Sequence, residues 1–144
     1  MVVYRDGAEG LEAEQLVGFF VGWRASPSPE RHLEALRGSD HVVLALDDAR
    51  GSVVGFVTAV SDGVLAAYVP LLEVRPEYQG RGIGSELMRR LLARLEGLYM
   101  VDLACDEPLV PFYERLGFRR GVAMAVRDPD ALAGETGGPG REPG

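Results

Sequence analysis

A glycine-rich turn between an apolar strand and an amphipathic helix has the clearest chemical meaning in this sequence. Its glycines recur at every second position, which leaves the backbone open to close approach by a ligand. The helix that follows directs its unpaired N–H groups and the positive end of its dipole at the same turn, an arrangement that binds phosphate. The turn and the start of the helix comprise Gln79, Gly80, Arg81, Gly82, Ile83, Gly84 and Ser85.

Two common phosphate-binding patterns do not fit this turn. The dinucleotide fingerprint needs Gly-x-Gly-x-x-Gly, and here the last interval is one residue short. A Walker-type loop needs Gly-Lys-Ser or Gly-Lys-Thr, which does not follow. The glycines alone therefore leave three alternatives open: close packing without a ligand, a nucleotide-binding domain without group transfer, or another phosphate-bearing ligand.

The elements that position the turn follow from hydrophobic periodicity. An apolar stripe between residues 11 and 23 predicts a first helix. Ser28 is a typical N-cap of the next helix, and Pro29 is a typical first helical residue. Gly38 can end this helix. Strands are predicted at 42–46, 53–60, 64–74, 99–104 and 122–126, and further helices at 83–95 and 108–116. Because the strands are nearly continuous apolar runs, we expect a sheet covered by helices on both faces.

Pro70 lies inside the predicted strand 64–74, although proline cannot donate a hydrogen bond to a ladder. We therefore expect strand pairing to be lost on one side near Pro70. A gap at that point, just before the glycine turn, could admit an extended ligand that hydrogen-bonds to the strand.

Two segments of the chain resemble signatures of one enzyme family. Gln79-Gly80-Arg81-Gly82-Ile83-Gly84 matches the acyl-coenzyme A signature of the Gcn5-related N-acetyltransferases (GNAT), and Pro111-Phe112-Tyr113-Glu114-Arg115-Leu116-Gly117-Phe118 is similar to their downstream signature. The resemblance covers about residues 1–126. The stretch 105–113 also looks like the corresponding part of arylalkylamine N-acetyltransferases. The resemblance implies an α/β (α+β) single-domain fold with a mixed central sheet of about six to seven strands.

The same resemblance implies a co-substrate and its ligands. Acetyl-coenzyme A would place its pyrophosphate on the backbone amides of residues 79–85 and its pantetheine arm along Leu72 and Val74. The backbone N–H of Leu72 corresponds to the family's oxyanion donor, and Tyr113 corresponds to the acid that protonates the departing thiolate. Asp106 stands where many members carry an asparagine that contacts pantetheine, and a carboxylate cannot supply that amide donor.

The general base does not carry over from the family. Members often carry glutamate or histidine at positions that here are Tyr68 and Pro70. Glu73 is the nearest carboxylate, although strand alternation turns it to the other face unless a bulge at Pro70 re-aims it. The other candidate groups are Asp102, Asp106, His41 and Asp62, and a water chain to bulk solvent is an equal alternative.

Composition limits the remaining classes of function. A net charge of −7 argues against nucleic acids and anionic membranes as partners, whereas a cationic amine would be attracted. Cys105 is the only cysteine, so no intrachain disulfide is expected, and no metal-ligand spacing occurs. The N-terminal residues lack signal-peptide features, which favours a cytoplasmic location. We expect a catalytic domain at 1–127 and a disordered Gly/Pro-rich tail at 128–144.

The sequence thus predicts an N-acetyltransferase that moves acetyl from acetyl-coenzyme A to a primary amine of a small molecule or peptide by direct attack. The alternative is a non-catalytic module that binds acyl-coenzyme A as a sensor, because no clear base is present. Since family members are often dimers, the resemblance also implies a homodimer.

Overall fold

The computed structural model describes residues 1–134, which form a six-stranded mixed sheet with helices on both faces. The strands are β1 (Val2–Asp6), β2 (His41–Asp47), β3 (Val53–Ser61), β4 (Ala66–Tyr68), β5 (Leu72–Val74) and β6 (Met100–Asp102). The helices are α1 (Pro29–Gly38), α2 (Ile83–Arg94) and α3 (Val110–Glu114), with 3-10 turns at Ala13–Leu16, Pro76–Tyr78, Glu107–Leu109 and Pro129–Ala133. The strand order is β1-β2-β3-β4-β6, and β5 pairs with β3 beyond β4.

The sheet is mostly antiparallel, and only the β4–β6 pair is parallel. The interiors of β2 and β3 are buried on both faces, as their continuous apolar sequences predicted. One face packs against α2 through residues such as Leu87 and Met88. The opposite face packs against α1 and the turn Ala13–Leu16, with Phe56 and Leu36 at its centre. The predicted fold class is confirmed.

Local sequence signals place both long helices. The Ser28 hydroxyl accepts the Arg31 N–H at 3.1 Å at the start of α1, and Pro29 occupies the first helical position. At α2 the constraint is close packing against the sheet. A Cβ on Gly55 of β3 would lie 3.1 Å from Leu87 and 3.3 Å from Ile83, so a glycine allows the helix to lie directly on the strand.

The single strand predicted at 64–74 is interrupted at Pro70. Residues 64–74 form β4 and β5 with Pro70 between them. The N–H of Val69 still donates to Asp102 of β6 at 2.9 Å, and Thr58 donates to Leu71 at 3.1 Å. Beyond that point β5 pairs with β3 alone. The predicted loss of pairing on one side is confirmed, whereas the single long strand was wrong.

The helix predicted between residues 11 and 23 is also wrong, apart from the turn Ala13–Leu16. Gly18 and Gly22 have φ of +102° and +84°, and Phe20 has φ of +63°, an unusual value for a residue with a side chain. Phe20 is buried in this conformation while Trp23 is 44% exposed. Tertiary packing of the aromatic rings therefore overrides the helical spacing of the sequence.

The final strand predicted at 122–126 does not form within the described residues. Val122 and Met124 are 98% and 95% exposed, and this segment has no ladder partner among residues 1–134. Its sequence suits a strand, but residues 1–134 supply no strand that pairs with it. Residues 129–133 form a 3-10 turn within the predicted tail, and residues 135–144 lie outside the described residues. The domain boundary at 127 stays a prediction.

Within the described part of the chain, no helix is both long and apolar enough to cross a membrane.

His32 is a buried group whose surroundings predict a pH-dependent stability. It is 1% exposed, and the rings of Phe19, Phe20 and Phe56 surround it with centroids 4.4–5.5 Å away. Neither ring nitrogen has a hydrogen-bond partner among the described residues. Burial lowers the pKa of His32 to about 4 because no group compensates the charged form.

We expect the free energy of unfolding to fall as the pH drops from 6.5 towards 4. In this range the imidazole of His32 is protonated in the unfolded state but stays neutral in the folded state, so protons favour unfolding. The loss between pH 7.5 and pH 5 should be about 2 kcal/mol from this group. Urea unfolding of the parent and of His32→Leu at both pH values measures it, since other titrating groups cancel in the difference. An equal pH dependence in both proteins would contradict the assignment.

Candidate active site

A cavity of about 530 Å³ opens where β5, the glycine turn and α3 meet. It lies on the side of β5 that has no neighbouring strand among the described residues. It is lined by the glycine turn, by β5 and by the aromatic residues of α3. The lining residues are Gly18, Val21, Leu72, Glu73, Val74, Pro76, Tyr78, Gln79, Gly80, Gly82, Ile83, Gly84, Ser85, Leu109, Phe112 and Tyr113.

The glycine turn has the geometry of an anion-binding loop. Gly80 and Gly82 have φ of +80° and +81°, and a Cβ on either would meet no atom within 4 Å, so the space beside them is open. Gly82 caps α2 without a side chain, and the first helical hydrogen bond runs from Glu86 N–H to Gly82 O at 3.1 Å. The preceding N–H groups of the helix therefore lack helical partners and point at the cavity.

The third glycine differs from the other two. Gly84 has an ordinary helical conformation, and a Cβ there would lie 3.6 Å from the Phe112 ring and 3.8 Å from Val74. These are ordinary contact distances, so an alanine would fit at this position. The open space beside a left-handed backbone is therefore a property of Gly80 and Gly82.

The register of β5 determines which of its peptide groups face the cavity. Thr58 donates to Leu71, and Arg75 donates to Val54 at 2.8 Å, so the odd-numbered residues of this strand exchange hydrogen bonds with β3. By antiparallel alternation, the N–H and C=O of Leu72 and Val74 point away from β3 to the open edge. The Val74 carbonyl accepts the Gln79 side-chain amide at 2.9 Å, and the Leu72 N–H is directed into the gap.

Glu73 reaches the cavity from the opposite face of the same strand. It pairs with Phe56 in register, and its carboxylate accepts the Phe20 N–H at 2.9 Å. Burial raises the pKa of Glu73, and the hydrogen bond from Phe20 offsets part of that rise. Strand alternation does turn the side chain away from Leu72, as predicted. It nevertheless lines the cavity, because the cavity wraps around the free edge of β5.

The irregular segment 17–22 closes this side of the cavity through Gly18 and Val21. A Cβ on Gly18 would lie 2.9 Å from the Arg75 Nε, so the segment packs directly on the end of β5. Together with the Phe20–Glu73 hydrogen bond, this contact fixes the segment over the strand. Neither Gly18 nor Val21 was predicted as a site residue, although the two helix-breaking glycines around Phe19-Phe20 are a sequence signal for an irregular segment here.

Tyr113 forms part of another wall of the cavity. It is 9% exposed, lies on α3 and packs edge-on against Phe112 and Phe118. Burial, with a smaller electrostatic contribution from Cys105, raises the pKa of Tyr113 to about 12. The phenol is therefore a protonated donor at neutral pH.

Arg81 and Asp106 are the two candidate cofactor residues that do not line the cavity. The Arg81 guanidinium lies 5.0 Å from the centre of the Tyr78 ring and donates to the Glu77 carbonyl at 3.2 Å. Asp106 is exposed at the start of the turn Glu107–Leu109. The side chains offered as alternative bases, Asp102, Asp106, His41 and Asp62, are absent from the lining, and Asp62 instead accepts three backbone N–H groups of its turn.

The arrangement can therefore hold an anionic group at the turn and pair an amide-bearing chain along β5. A carboxylate of raised pKa and a phenol face the same space. Among the described residues, no group of three or more histidine, cysteine or acidic side chains could hold a metal ion.

Comparisons with known proteins agree with this geometry. Residues 8–118 match the model of the acetyltransferase (GNAT) family. A crystal structure from Deinococcus radiodurans R1, described only as a candidate acetyltransferase, is 48% identical, with a TM-score of 0.89 and 94% of each chain covered.

Two curated relatives come from a red alga and a plant. An uncharacterised N-acetyltransferase of Pyropia yezoensis is 30% identical over 85% of this chain and 68% of its own. Serotonin N-acetyltransferase 2 of Oryza sativa subsp. japonica is 37% identical over 73% of this chain and 51% of its own. The chain belongs to the GNAT family of acyl-coenzyme A-dependent N-acyltransferases.

Proposed function

We propose that this enzyme transfers the acetyl group of acetyl-coenzyme A to a primary amine of a small molecule or peptide by direct attack. The observation that carries the proposal is the single cavity that joins the glycine turn, the free edge of β5, Glu73 and Tyr113. Each of these four features has one role in acyl transfer from acetyl-coenzyme A, a long thioester that carries phosphate groups.

The co-substrate is assigned from the turn and the strand edge. The backbone N–H groups of residues 79–85 and the dipole of α2 suit a pyrophosphate, and the open space beside Gly80 and Gly82 leaves room for it. The pantetheine arm contains amides and would pair with the outward peptide groups of Leu72 and Val74. Pairing of this kind orients the thioester towards Glu73 and Tyr113.

The transfer begins when the neutral amine nitrogen attacks the thioester carbonyl carbon. A carbon–nitrogen bond forms, and the carbonyl oxygen becomes an oxyanion, which the Leu72 N–H stabilises. One such preorganised donor typically contributes about 3 kcal/mol to transition-state stabilisation. Glu73, directly or through a water, takes the proton that the nitrogen loses. The carbon–sulfur bond then breaks, the thiolate leaves, and that proton is passed to solvent or to the thiolate.

Glu73 is suited to the base role by its environment. Its raised pKa brings the carboxylate closer to the operating pH, where proton acceptance is more efficient. The Phe20 N–H holds the carboxylate in place while leaving acceptor capacity on its oxygens.

Tyr113 acts on the leaving group as a hydrogen-bond donor. A phenol of pKa about 12 gives up its proton far less readily than an ordinary thiol of pKa about 8.5. Complete proton transfer to the thiolate is therefore uphill. A hydrogen bond from the phenol still stabilises the charge that develops on sulfur as the bond breaks.

The acceptor we propose is an amine that carries an apolar or aromatic group. The net charge of −7 attracts a cation, Glu73 faces the cavity, and Val21 adds an apolar wall. The 37% identity to a rice protein named for serotonin, an arylalkylamine, supports the same class. Arylalkylamines are therefore the first acceptors to test, followed by polyamines and peptide N-termini.

The competing function is a sensor that binds acyl-coenzyme A without turnover. The placement of a half-buried carboxylate in the cavity favours catalysis over this alternative. A cytoplasmic location and a homodimeric state complete the proposal.

We expect coenzyme A thiol release to depend on the acceptor amine. Purified enzyme with acetyl-coenzyme A is assayed with a thiol reagent against a panel of arylalkylamines, polyamines, amino acids and peptides. Acceptor-dependent rates, together with the acetylated product by mass spectrometry, are expected. Tight binding of acetyl-coenzyme A without acceleration by any amine would instead support the sensor.

We expect Gly82→Ala to weaken binding of coenzyme A at least tenfold by calorimetry. The added Cβ strains a backbone at φ of +81° and occupies the open space proposed for the pyrophosphate. Gly97→Ala is the matched control, because Gly97 has φ of +93°, equal open space and no place in the cavity. Equal loss of affinity in both variants, or none in Gly82→Ala, would remove the turn from the proposal.

We expect Glu73→Gln and Tyr113→Phe to change the pH–rate profile differently. The parent rate should fall as the pH drops through the raised pKa of Glu73, because the carboxyl becomes protonated. Glu73→Gln should lose this acid limb and at least 100-fold in kcat, as expected for loss of a general base. Tyr113→Phe should keep the limb and lose kcat more than acetyl-coenzyme A affinity. An unchanged acid limb in Glu73→Gln would disprove its role.

A further inference from the structure

A hydrogen bond joins the segment before the glycine turn to a distant hairpin. The hydroxyl of Tyr78 donates to the Asp47 carboxylate at 2.6 Å, across 31 positions of the sequence. A bond from a hydroxyl to a charged carboxylate is shorter and stronger than a bond between neutral groups. It is also the largest cause that lowers the pKa of Asp47, so the carboxylate stays charged at neutral pH and the bond persists there.

Asp47 is a fixed point in the fold. It is the last residue of β2, and its backbone N–H donates to the Ser52 carbonyl at 2.9 Å. Its own carbonyl accepts the Gly51 N–H at 2.7 Å, and its second carboxylate oxygen accepts the Ala49 N–H at 3.0 Å. The hairpin turn between β2 and β3 therefore holds this carboxylate in one place.

Tyr78 lies between this hairpin and the cavity. It is the last residue of the 3-10 turn Pro76–Tyr78, its N–H donates to the Arg75 carbonyl at 2.9 Å, and it lines the cavity. The guanidinium of Arg81 lies over its ring, 5.0 Å from the ring centre. One side chain thus contacts the hairpin through its hydroxyl and the glycine turn through its ring.

The glycine turn needs an anchor on this side. Gly80 and Gly82 have φ of +80° and +81°, and glycine backbones are the most free to change conformation. Ordering such a turn around a ligand is unfavourable unless the protein already holds it. On its C-terminal side the turn continues into α2. On its N-terminal side the Gln79 amide donates to Val74 of the adjacent strand, and Tyr78 alone reaches the β2–β3 hairpin.

We infer that Asp47 and Tyr78 are positioning residues for the co-substrate, because their bond holds the glycine turn in its binding conformation before acetyl-coenzyme A arrives. This role rests on the proposed function, which assigns the turn to the phosphates. Asp47 does not line the cavity, so it acts through Tyr78. The bond lowers the entropy lost on binding and leaves the transfer chemistry at Glu73 and Tyr113 unchanged.

The first test is binding of coenzyme A by calorimetry. Tyr78→Phe removes the hydroxyl and keeps the ring under Arg81, and it should weaken binding about fivefold or more. Asp47→Ala should weaken binding to a similar extent. Asp62→Ala is the matched control, because Asp62 also accepts N–H groups of a hairpin turn next to β3 and does not line the cavity. Equal affinity of Tyr78→Phe and the parent overturns the inference.

The double variant distinguishes one shared bond from two separate effects. If both side chains act through their bond, Tyr78→Phe should cause almost no further loss of affinity in the Asp47→Ala background. Losses that multiply in the double variant mean that each residue acts alone, and they overturn the inference.

A measurement without ligand keeps the inference falsifiable if Asp47→Ala does not fold. The N–H groups of Tyr78 and Gln79 donate within the 3-10 turn, to the carbonyls of Arg75 and Pro76. We expect amide hydrogen exchange at these two donors to be faster in Tyr78→Phe than in the parent, with unchanged exchange in the interior of α2. Unchanged exchange at both donors overturns the inference.

Turnover separates this inference from the proposed function. In Tyr78→Phe the KM for acetyl-coenzyme A should rise while kcat stays within about twofold of the parent, as expected for loss of uniform binding. A fall in kcat with unchanged KM overturns the positioning role.

The combined results assign each failure to one proposal. If the parent binds coenzyme A, Tyr78→Phe binds it more weakly and no amine is acetylated, the positioning role is supported and acetyl transfer is contradicted. Acceptor-dependent transfer with equal affinity in both proteins supports acetyl transfer and overturns the positioning role. A parent that does not bind coenzyme A contradicts both.

Discussion

The separation of β5 from β6 after Pro70 is the constraint on which the active site depends. Val69 still donates to Asp102, and two residues further on the same chain has lost contact with β6. A proline at this position removes one ladder donor, and the strand continues beside β3 alone. The cavity, the outward peptide groups of Leu72 and Val74, and access to Glu73 all follow from that divergence. A fully paired sheet would have closed the space proposed for the acyl donor.

Burial raises the pKa of both groups that face this space, Glu73 and Tyr113, but with opposite consequences for their chemistry. Desolvation raises the pKa of Glu73, which improves a carboxylate as a proton acceptor near neutral pH. It also raises the pKa of Tyr113 to about 12, which weakens the phenol as an acid but keeps its hydrogen-bond donor. One cavity therefore has a carboxylate of raised pKa in its lining together with a neutral phenol donor.

The same sheet is incomplete at its other end. Within residues 1–134, β6 pairs with β4 alone, and the apolar segment 122–126 has no ladder partner. Tyr113 lines both the cavity at β5 and the smaller cavity beside this segment.

The sequence by itself determined the family, the two-sided core, both long helices and the glycine turn, because these depend on local periodicity, caps and backbone freedom. It also located the gap at Pro70, since a missing N–H is a local property. Tertiary structure decided the rest. The spacing of residues 11–23 is helical, yet ring packing on Phe56 and the bond to Glu73 hold Phe20 in a left-handed conformation. The segment 122–126 has strand sequence, but a strand needs a neighbour, and pairing over long sequence separation is not encoded in the segment itself.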